Sequence, residues 1–275
     1  MDRDSGRRLR RIWNKVSAQG LIGAELQESK LLYSVIGFIP ASDLADNAML
    51  ISNIACLLAE RGFNVCVVDL KVFYPNLYHF LDVEPRRRGD GLIRALKSDK
   101  IDMRDVVQAT KYDRLYLLSP SPQDLLEEYF DFEIEQVERV LGELKDMFDL
   151  VLVDIPNNPP LEFCVGAMKQ CHAGFFTAAE RIEAVGNMLK LLEFVRSIGI
   201  STAKFTNVIL MNVLEMNFDF KVFRESGFQI AAVFPFAKGT YARALEGKLY
   251  VKDNPVVNKY FMKEINRLVQ LLIEN

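Results

Sequence analysis

The first part of the chain places a strand, a loop, a long helix and a second strand in direct succession, and this unit constrains the fold most. Residues 33–39 form a short apolar run, as expected of a strand covered on both faces. Residues 49–58 repeat apolar side chains at helical spacing, and Gly62 ends that helix. A second apolar run follows at residues 65–70. Such a unit normally forms parallel neighbouring strands with a right-handed crossover.

The loop between the first strand and the helix lacks the residues that bind phosphate. In nucleotide-binding versions of this unit, glycines let backbone N–H groups surround the phosphates, and a lysine neutralises their charge. Residues 39–48 contain no glycine and no lysine, and Asp43 and Asp46 stand where a polyanion would lie. Like charges a few ångströms apart repel by roughly 1–4 kcal/mol at moderate dielectric. The unit predicts a nucleotide-binding fold, whereas its loop predicts no phosphate site.

Strands and helices alternate along the rest of the chain. Further strands are predicted at residues 114–119, 149–154, 175–178, 205–212 and 229–234. Further helices are predicted at residues 92–96, 101–107, 133–147, 182–198, 218–226, 240–246 and 255–273. This alternation predicts an α/β fold, with a mostly parallel twisted sheet of about seven strands and helices on both faces. The chain has 275 residues and is 50% hydrophobic, so residues 31–275 are assigned to one domain.

The composition disfavours several classes of protein. A net charge of only −3 gives no general case for nucleic-acid binding. The sequence shows no secretory signal and no apolar run long enough to span a bilayer, so a cytoplasmic location is expected. No two cysteines form a CxxC pair, which disfavours zinc or redox chemistry. Buried thiols are expected at Cys56 and Cys66, and a shared iron–sulfur ligand role is the weaker alternative for Cys164 and Cys171.

Residues 1–30 differ from the rest and are predicted to form a basic amphipathic segment followed by a linker. The basic side chains are Arg7, Arg8, Arg10, Arg11 and Lys15. The apolar side chains recur at i, i+3, i+4 and i+7, on one face of a helix, and are Leu9, Ile12, Trp13 and Val16. A segment of this kind packs on its own domain, docks on a partner protein or lies on an anionic membrane surface. The sequence leaves these three alternatives open.

Five segments, taken in order and spacing, resemble the ParA/MinD family of P-loop ATPases with a deviant Walker A loop. That family includes the cell-division regulator MinD, plasmid partition ATPases and the bacterial pilus-localisation proteins TadZ and CpaE. The segments are LLAERGFNVCVVDL, YPNLYHFLDV, FDLVLVDIP, LMN, and VFPF with the helix through Ala242 and Gly247. The likeness runs over residues 33–272. It implies a P-loop NTPase-like fold and a dimer face around the carboxyl edge of the sheet.

Carried over residue by residue, the resemblance implies a degenerate, TadZ/CpaE-like nucleotide site. Ser42 replaces the family's signature lysine, Asn47 replaces its phosphate-binding lysine, and Ala48 replaces the hydroxyl that holds Mg²⁺. Lys71 stands where the family has an acid that positions water. The positions that correspond to the nucleotide site are Ser42, Asp43, Asp46, Asn47, Ala48, Asp69, Lys71, Asp154 and Asn212. We expect no ATP hydrolysis at such a site.

The acids that survive in this site also have a purely structural interpretation. Asp69 and Asp154 end apolar strands, so they could cap a following helix or pair with a cation such as Lys71. Metal binding without a nucleotide is the less favoured alternative. Asn212 is then a hydrogen-bonding residue at the end of a strand. The sequence shows no catalytic constellation and no metal site.

The leading hypothesis is a catalytically inactive pseudo-ATPase that needs no cofactor. It would act as a scaffold or localisation factor for a membrane-associated or polar machine of pilus, secretion or flagellar type. It would form a homodimer, or a heterodimer with an active paralogue, in the cytoplasm or peripherally at the inner membrane face or cell pole. One alternative is a molecular switch that binds ATP and Mg²⁺ through a non-standard phosphate loop. The other is a partition protein that binds DNA non-specifically, which the net charge disfavours.

Overall fold

The computed structural model describes residues 30–43, 45, 47–215, 219–252 and 258–274, which form a central sheet between two layers of helices. Residues 1–29, with the basic segment, and Asp46 lie outside the described residues. The strands are β1 (Lys30–Leu31), β2 (Val35–Pro40), β3 (Val65–Asp69), β4 (Gln108–Ala109), β5 (Leu115–Leu118), β6 (Leu150–Asp154), β7 (Ala173–Ala178), β8 (Asn207–Met211), β9 (Gln229–Phe234) and β10 (Ile273–Glu274). The α-helices are α1 (Asn47–Glu60), α2 (Leu77–Phe80), α3 (Leu92–Lys97), α4 (Met103–Val106), α5 (Ile134–Met147), α6 (Leu161–Gln170), α7 (Ala184–Ser197), α8 (Lys221–Glu225), α9 (Thr240–Leu245) and α10 (Lys259–Gln270).

The main sheet has the strand order β4-β5-β3-β6-β2-β7-β8-β9. Every neighbouring pair is parallel except β4 and β5, which are antiparallel. β1 pairs separately with β10, so Lys30, the last residue of the predicted linker, already lies in a strand. The predicted α/β architecture with a mostly parallel sheet is therefore confirmed.

Two apolar layers cover the sheet, one on each face. Strands β3 and β6 are buried at every residue, because helices pack on both of their faces. Leu50 and Ile54 of α1 belong to the core on one face, and Val140 and Leu141 of α5 belong to the core on the other. Within the described part of the chain, no helix combines the length and apolarity needed to cross a bilayer.

Within the described residues, the elements that were not predicted from the sequence are strands β1, β4 and β10, the 3-10 helix Leu126–Tyr129, and helix α6. All seven predicted strands are present, and β4 is an additional, two-residue edge strand that follows α4. The helix predicted at residues 101–107 is shorter than expected, because α4 extends only over Met103–Val106. Helix α6 was missed because it has almost no polar face. Its buried residues are Phe163, Cys164, Val165, Gly166, Ala167 and Met168. A helix covered on most sides lacks the polar–apolar periodicity on which the prediction depended.

The last helix begins later than the sequence indicated. The prediction started it at Pro255, which lies outside the described residues, but α10 begins at Lys259. The side chain of Asn258 accepts hydrogen bonds from the backbone N–H groups of Tyr260 and Phe261, at 2.9 and 3.3 Å. This side-chain cap satisfies two N–H groups that have no partner within the helix, and so fixes its first turn.

The four cysteines are buried free thiols. This confirms the expectation for Cys56 and Cys66. Burial raises the pKa of Cys164 to about 12, so this thiol stays protonated at neutral pH. Cys171 directly follows the same helix, α6, and burial raises its pKa as well. Within the described residues, no group of three or more His, Cys, Asp or Glu side chains could hold a metal ion.

Candidate functional site

Asp69 and Asp154 meet at the carboxyl edge of the sheet. They end the adjacent parallel strands β3 and β6, and they are direct partners in the strand register. Both side chains are fully buried. Both acids lie at the carboxyl edge, as expected for residues that end parallel strands, and the adjacency of β3 and β6 brings them together.

Lys71 pairs with one of these acids. Its Nζ lies 2.8 Å from Asp154 Oδ2, and it also donates to Asn76 Oδ1 at 3.0 Å. The Lys71 side chain is only 18% exposed, so the ion pair is largely screened from water. The lysine that stands at an acid position of the resembling family therefore neutralises Asp154, as the structural interpretation anticipated.

Asp69 caps the turn that follows its own strand. Its Oδ1 accepts a hydrogen bond from the backbone N–H of Lys71 at 3.0 Å. Its Oδ2 accepts from the backbone N–H groups of Asn76 and Leu77, at 3.0 and 3.2 Å. Leu77 is the first residue of α2, so the carboxylate fixes the start of that helix. Both structural roles foreseen for the two acids are thus present.

Asn47 closes the space at the start of α1. Its Nδ2 donates to the backbone carbonyl of Phe38 and to Asp154 Oδ1, both at 3.0 Å. The hydroxyl of Thr177 donates to Asn47 Oδ1. Asn47 is 1% exposed, and Ala48 beside it is fully buried. The residue at the position of the phosphate-binding lysine therefore links strands β2, β6 and β7.

The buried cluster of Asn47, Asp69, Lys71, Asp154 and Thr177 contains two carboxyl groups and one ammonium group. Burial raises the pKa of Asp69 and raises that of Asp154 to about 7, while Lys71 opposes both shifts. At a pH above the raised pKa values of both acids, all three groups are ionised and the cluster carries one net negative charge. A polyphosphate placed against it would meet that charge in a poorly screened environment, which disfavours binding.

The loop before α1 uses part of its backbone within the protein. The N–H of Ala41 donates to the carbonyl of Thr177 at 2.7 Å, and that of Ala45 donates to the carbonyl of Ser42 at 3.0 Å. Ser42 is buried and Asp43 is exposed. These two N–H groups already have carbonyl partners, whereas a phosphate-binding loop directs such groups at its ligand.

Two of the cavities near this edge border positions of the nucleotide site. One, of about 410 Å³, is bordered by Ser42, Asp43, Lys71 and Tyr74. The other, of about 280 Å³, is lined mostly by apolar side chains and also by Asn212. The backbone N–H of Asn212 donates to the carbonyl of Phe234 at 3.0 Å, so this residue continues the pairing just beyond the end of β8. An open cavity thus remains beside the residue that resembles a base-contacting asparagine.

Sequence reasoning missed two members of this arrangement. Thr177 is a polar residue within the apolar run 175–179, at the carboxyl end of β7, and its position could have indicated a site residue. Asn76 lies in the YPNL segment, which was used only to establish the resemblance. Their bonds to Asn47 and Lys71 depend on how the loops fold back on the edge, which a local pattern does not encode.

Comparison with solved protein structures identifies proteins that have a similar fold. No family model matches the chain, and no curated protein matches it. The solved structure of a ParA family ATPase from Chlorobium tepidum is similar to this chain with a TM-score of 0.73 and 18% sequence identity, and the match covers 89% of this chain and 100% of that one. MinD from Pyrococcus horikoshii, complexed with Mg-ADP, has a TM-score of 0.70 and 18% identity, and the match covers 86% of this chain and 95% of that one. The MinC:MinD complex of Aquifex aeolicus has a TM-score of 0.70 and 17% identity, and the match covers 87% of this chain and 95% of that one. Within the described residues, this chain therefore has the fold of the MinD and ParA ATPases.

Proposed function

We propose that this protein is a pseudo-ATPase, which keeps the fold of MinD and ParA but acts as a scaffold or localisation factor without binding nucleotide. The closed state of the buried cluster carries this proposal. Asp154 forms an ion pair with Lys71 and accepts a hydrogen bond from Asn47. Asn47 also donates to the carbonyl of Phe38 and accepts from the hydroxyl of Thr177. The polar atoms that would meet a triphosphate are bound to one another.

Opening this site for a nucleotide would be costly. Removing one partner from a buried ion pair destabilises a protein by about 3–5 kcal/mol. A triphosphate would add several negative charges beside Asp69 and Asp154, with Lys71 as the one cation of the cluster. Hydrolysis would also need a group that positions water, and Lys71 stands at that position. In this proposal, Lys71 contributes both to the loss of nucleotide binding and to the loss of hydrolysis.

We further propose that the carboxyl edge of the sheet binds a protein partner. Tyr74 follows β3 and is 80% exposed, and Ile182 follows β7 and is 93% exposed. The two loops flank the carboxyl ends of β6 and β2, so a partner that covers this edge would bury both side chains. The solved complex of MinC with MinD supports a protein partner for this fold. The partner would be a second copy, an active paralogue, or a component of a membrane-associated or polar machine.

Nucleotide binding tests the first proposal directly. We expect neither ATP nor ADP, with Mg²⁺, to release heat on titration into the purified chain at millimolar concentration. The melting temperature should also stay unchanged. A nucleotide that did bind, at one hundred times its dissociation constant, would add about 2.7 kcal/mol of stability and would raise the melting temperature. A dissociation constant below about 1 mM, abolished by Lys71→Ala, would contradict the pseudo-ATPase and favour the ATP-binding switch.

The switch remains a second candidate because of the cavity beside Asn212. If that cavity takes a nucleotide base while the buried cluster excludes phosphates, ATP and adenosine should bind equally weakly. A true ATP switch should bind ATP far more tightly than adenosine, because the phosphates supply most of the charge that the protein recognises. Competition calorimetry with the two compounds distinguishes these cases.

A further inference from the structure

An exposed patch of apolar and acidic side chains lies beside the carboxyl end of β5, on the 3-10 helix Leu126–Tyr129 and the segments next to it. Its apolar members are Tyr74, Leu125, Leu126 and Phe130, which are 37–80% exposed. The ring of Phe73 joins them, 6.4 Å from the ring of Tyr74 and 6.2 Å from that of Phe130. Its acidic members are Glu127 and Asp131, both exposed. We call this surface the acidic apolar patch.

Part of the negative charge of the patch is not neutralised by ion pairs within the described part of the chain. Residues 124–138 contain seven acidic residues and no lysine or arginine. Glu128 is paired with Lys97 at 3.2 Å and with Arg88 at 3.7 Å. Glu127 and Asp131 form no ion pair with any part of the chain that the structure describes. A ligand for this surface should therefore combine an apolar face with positive charge.

The chain itself contains a segment with that chemistry. Residues 5–24 include five basic residues and no acid. Within them, residues 7–16 carry the apolar face formed by Leu9, Ile12, Trp13 and Val16. If this apolar face were buried against the acidic apolar patch, the arginines beside it would lie opposite the acidic side chains of the patch. The segment and the patch are thus complementary both in charge and in apolar character.

The connecting chain is long enough to join the two. Lys30 in β1 lies at the amino edge of the sheet, next to the start of β2, whereas the patch lies at the carboxyl edge. β1 and β10 pack on the core of one face of the sheet, whereas Phe73 and Tyr129 belong to the core of the other face. A strand of six residues spans about 20 Å, and the two layers of helices together add about 20 Å. The 13 residues 17–29 reach about 45 Å when extended. Residues 7–16 can therefore reach the patch of their own molecule.

We propose that residues 7–16 dock on the acidic apolar patch of the same molecule. Their apolar face covers Tyr74, Leu126 and Phe130, and their arginines face Glu127 and Asp131. Tyr74 also borders the cavity beside Lys71, so the docked segment would compete with a partner at the carboxyl edge. A lipid surface and a second copy of the chain are the other occupants that an experiment must separate from this one. The inference does not depend on whether nucleotide binds.

Trp13 reports on this docking because it is the one tryptophan of the chain. In the 275-residue chain we expect the fluorescence emission of Trp13 to be blue-shifted and its side chain to be protected from quenching by acrylamide. Phe130→Ser, and separately the pair Glu127→Lys with Asp131→Lys, should each lower the ratio of docked to undocked segment by at least about fivefold. Raising the salt concentration should weaken docking of the wild type, because exposed charges are screened.

Matched variants keep the test specific. Leu245→Ser and Glu193→Lys make the same kinds of change at exposed positions away from the patch, and should leave the emission of Trp13 unchanged. Arg10→Glu with Arg11→Glu should release the segment, and adding Glu127→Lys with Asp131→Lys should restore docking. Restoration by this charge exchange would not follow from a folding defect in either pair of variants.

Results of three kinds would overturn the proposal. The first is a wild-type Trp13 that is quenched as freely as tryptophan in solution, or patch variants that behave like the controls. The second is protection that disappears on hundredfold dilution, which assigns the segment to a second copy. The third is protection that arises only with vesicles containing phosphatidylserine and ignores the patch variants, which assigns it to lipid.

Discussion

Replacing Lys71 with methionine is expected to lower the free energy of unfolding by about 3–5 kcal/mol at pH 8. The substitution keeps most of the side-chain volume but removes the ammonium group 2.8 Å from Asp154. Asp154 is fully buried and shares its edge of the sheet with Asp69. The variant would therefore hold two buried carboxyl groups without a cation in the cluster. Urea denaturation of wild type and variant measures the difference.

The size of this effect should depend on pH in a defined direction. Burial raises the pKa of Asp154 from 3.8 to about 7 in the folded protein. A group with a raised folded-state pKa contributes stability that is complete below its unfolded-state pKa and is lost as the pH rises through the folded-state pKa. Without Lys71, ionised Asp154 loses its counter-charge, so the loss of stability should be largest at pH 8. At pH 5 the protonated acid needs no cation, and the loss should be small.

Two further variants identify the cause. Lys190→Met makes the same change at an exposed position of α7 and should leave stability within about 0.5 kcal/mol of wild type. Adding Asp154→Asn to Lys71→Met removes the buried charge and should recover part of the stability at pH 8. A Lys71→Met protein that is equally stable at both pH values, and close to wild type, would show that the ion pair does not hold the site closed.

Asn47→Asp is the second substitution with a large expected effect, a loss of about 3 kcal/mol at pH 8. The two side chains have nearly the same shape, so packing is preserved. The carboxylate can no longer donate to the carbonyl of Phe38 or to Asp154, both of which lie 3.0 Å from Asn47 Nδ2. It also adds a third acid to a cluster with a single lysine. Protonation at pH 5 should reduce the loss, because a carboxylic acid can donate one hydrogen bond.

Asn187→Asp provides the matched control for that substitution. Asn187 Nδ2 also donates to a backbone carbonyl, that of Ala41 at 2.9 Å, but the residue is exposed. Its replacement removes a similar hydrogen bond without crowding buried charges, and should cost well under half as much. Equal losses for Asn47→Asp and Asn187→Asp, with no dependence on pH, would contradict the role given to the buried cluster.

These two substitutions also bear on the proposed function. The pseudo-ATPase proposal depends on a site that is closed by its own side chains. If Lys71 and Asn47 prove dispensable for stability, a nucleotide could displace their contacts at little cost, and the ATP-binding switch would gain support. If both substitutions are strongly destabilising, the residues that replaced the phosphate-binding machinery have become part of the structural core.

The sequence by itself determined the class of the fold and the location of the site. Apolar runs of strand length alternate with segments of helical periodicity, and these local patterns predicted the parallel sheet and all seven of its longer strands. Parallel strands all end on the same side of a sheet, so Asp69 and Asp154, each at the end of a predicted strand, were expected at one edge. Absence of glycine and lysine from residues 39–48 indicated a departure from phosphate binding. Each of these inferences rests on residues that are close in sequence or on a general property of parallel sheets.

The tertiary structure alone decided how the site is closed. Asn47 and Asp154 are 107 residues apart, and Asn47 and Thr177 are 130 apart, so no local pattern could pair them. Helix α6 and strand β4 also depended on tertiary packing, the first because it is covered on most sides and the second because it has only two residues. Sequence periodicity records which face of an element is buried. Hydrogen bonds between loops at the end of a sheet depend on distances and directions that arise only when the strands have assembled.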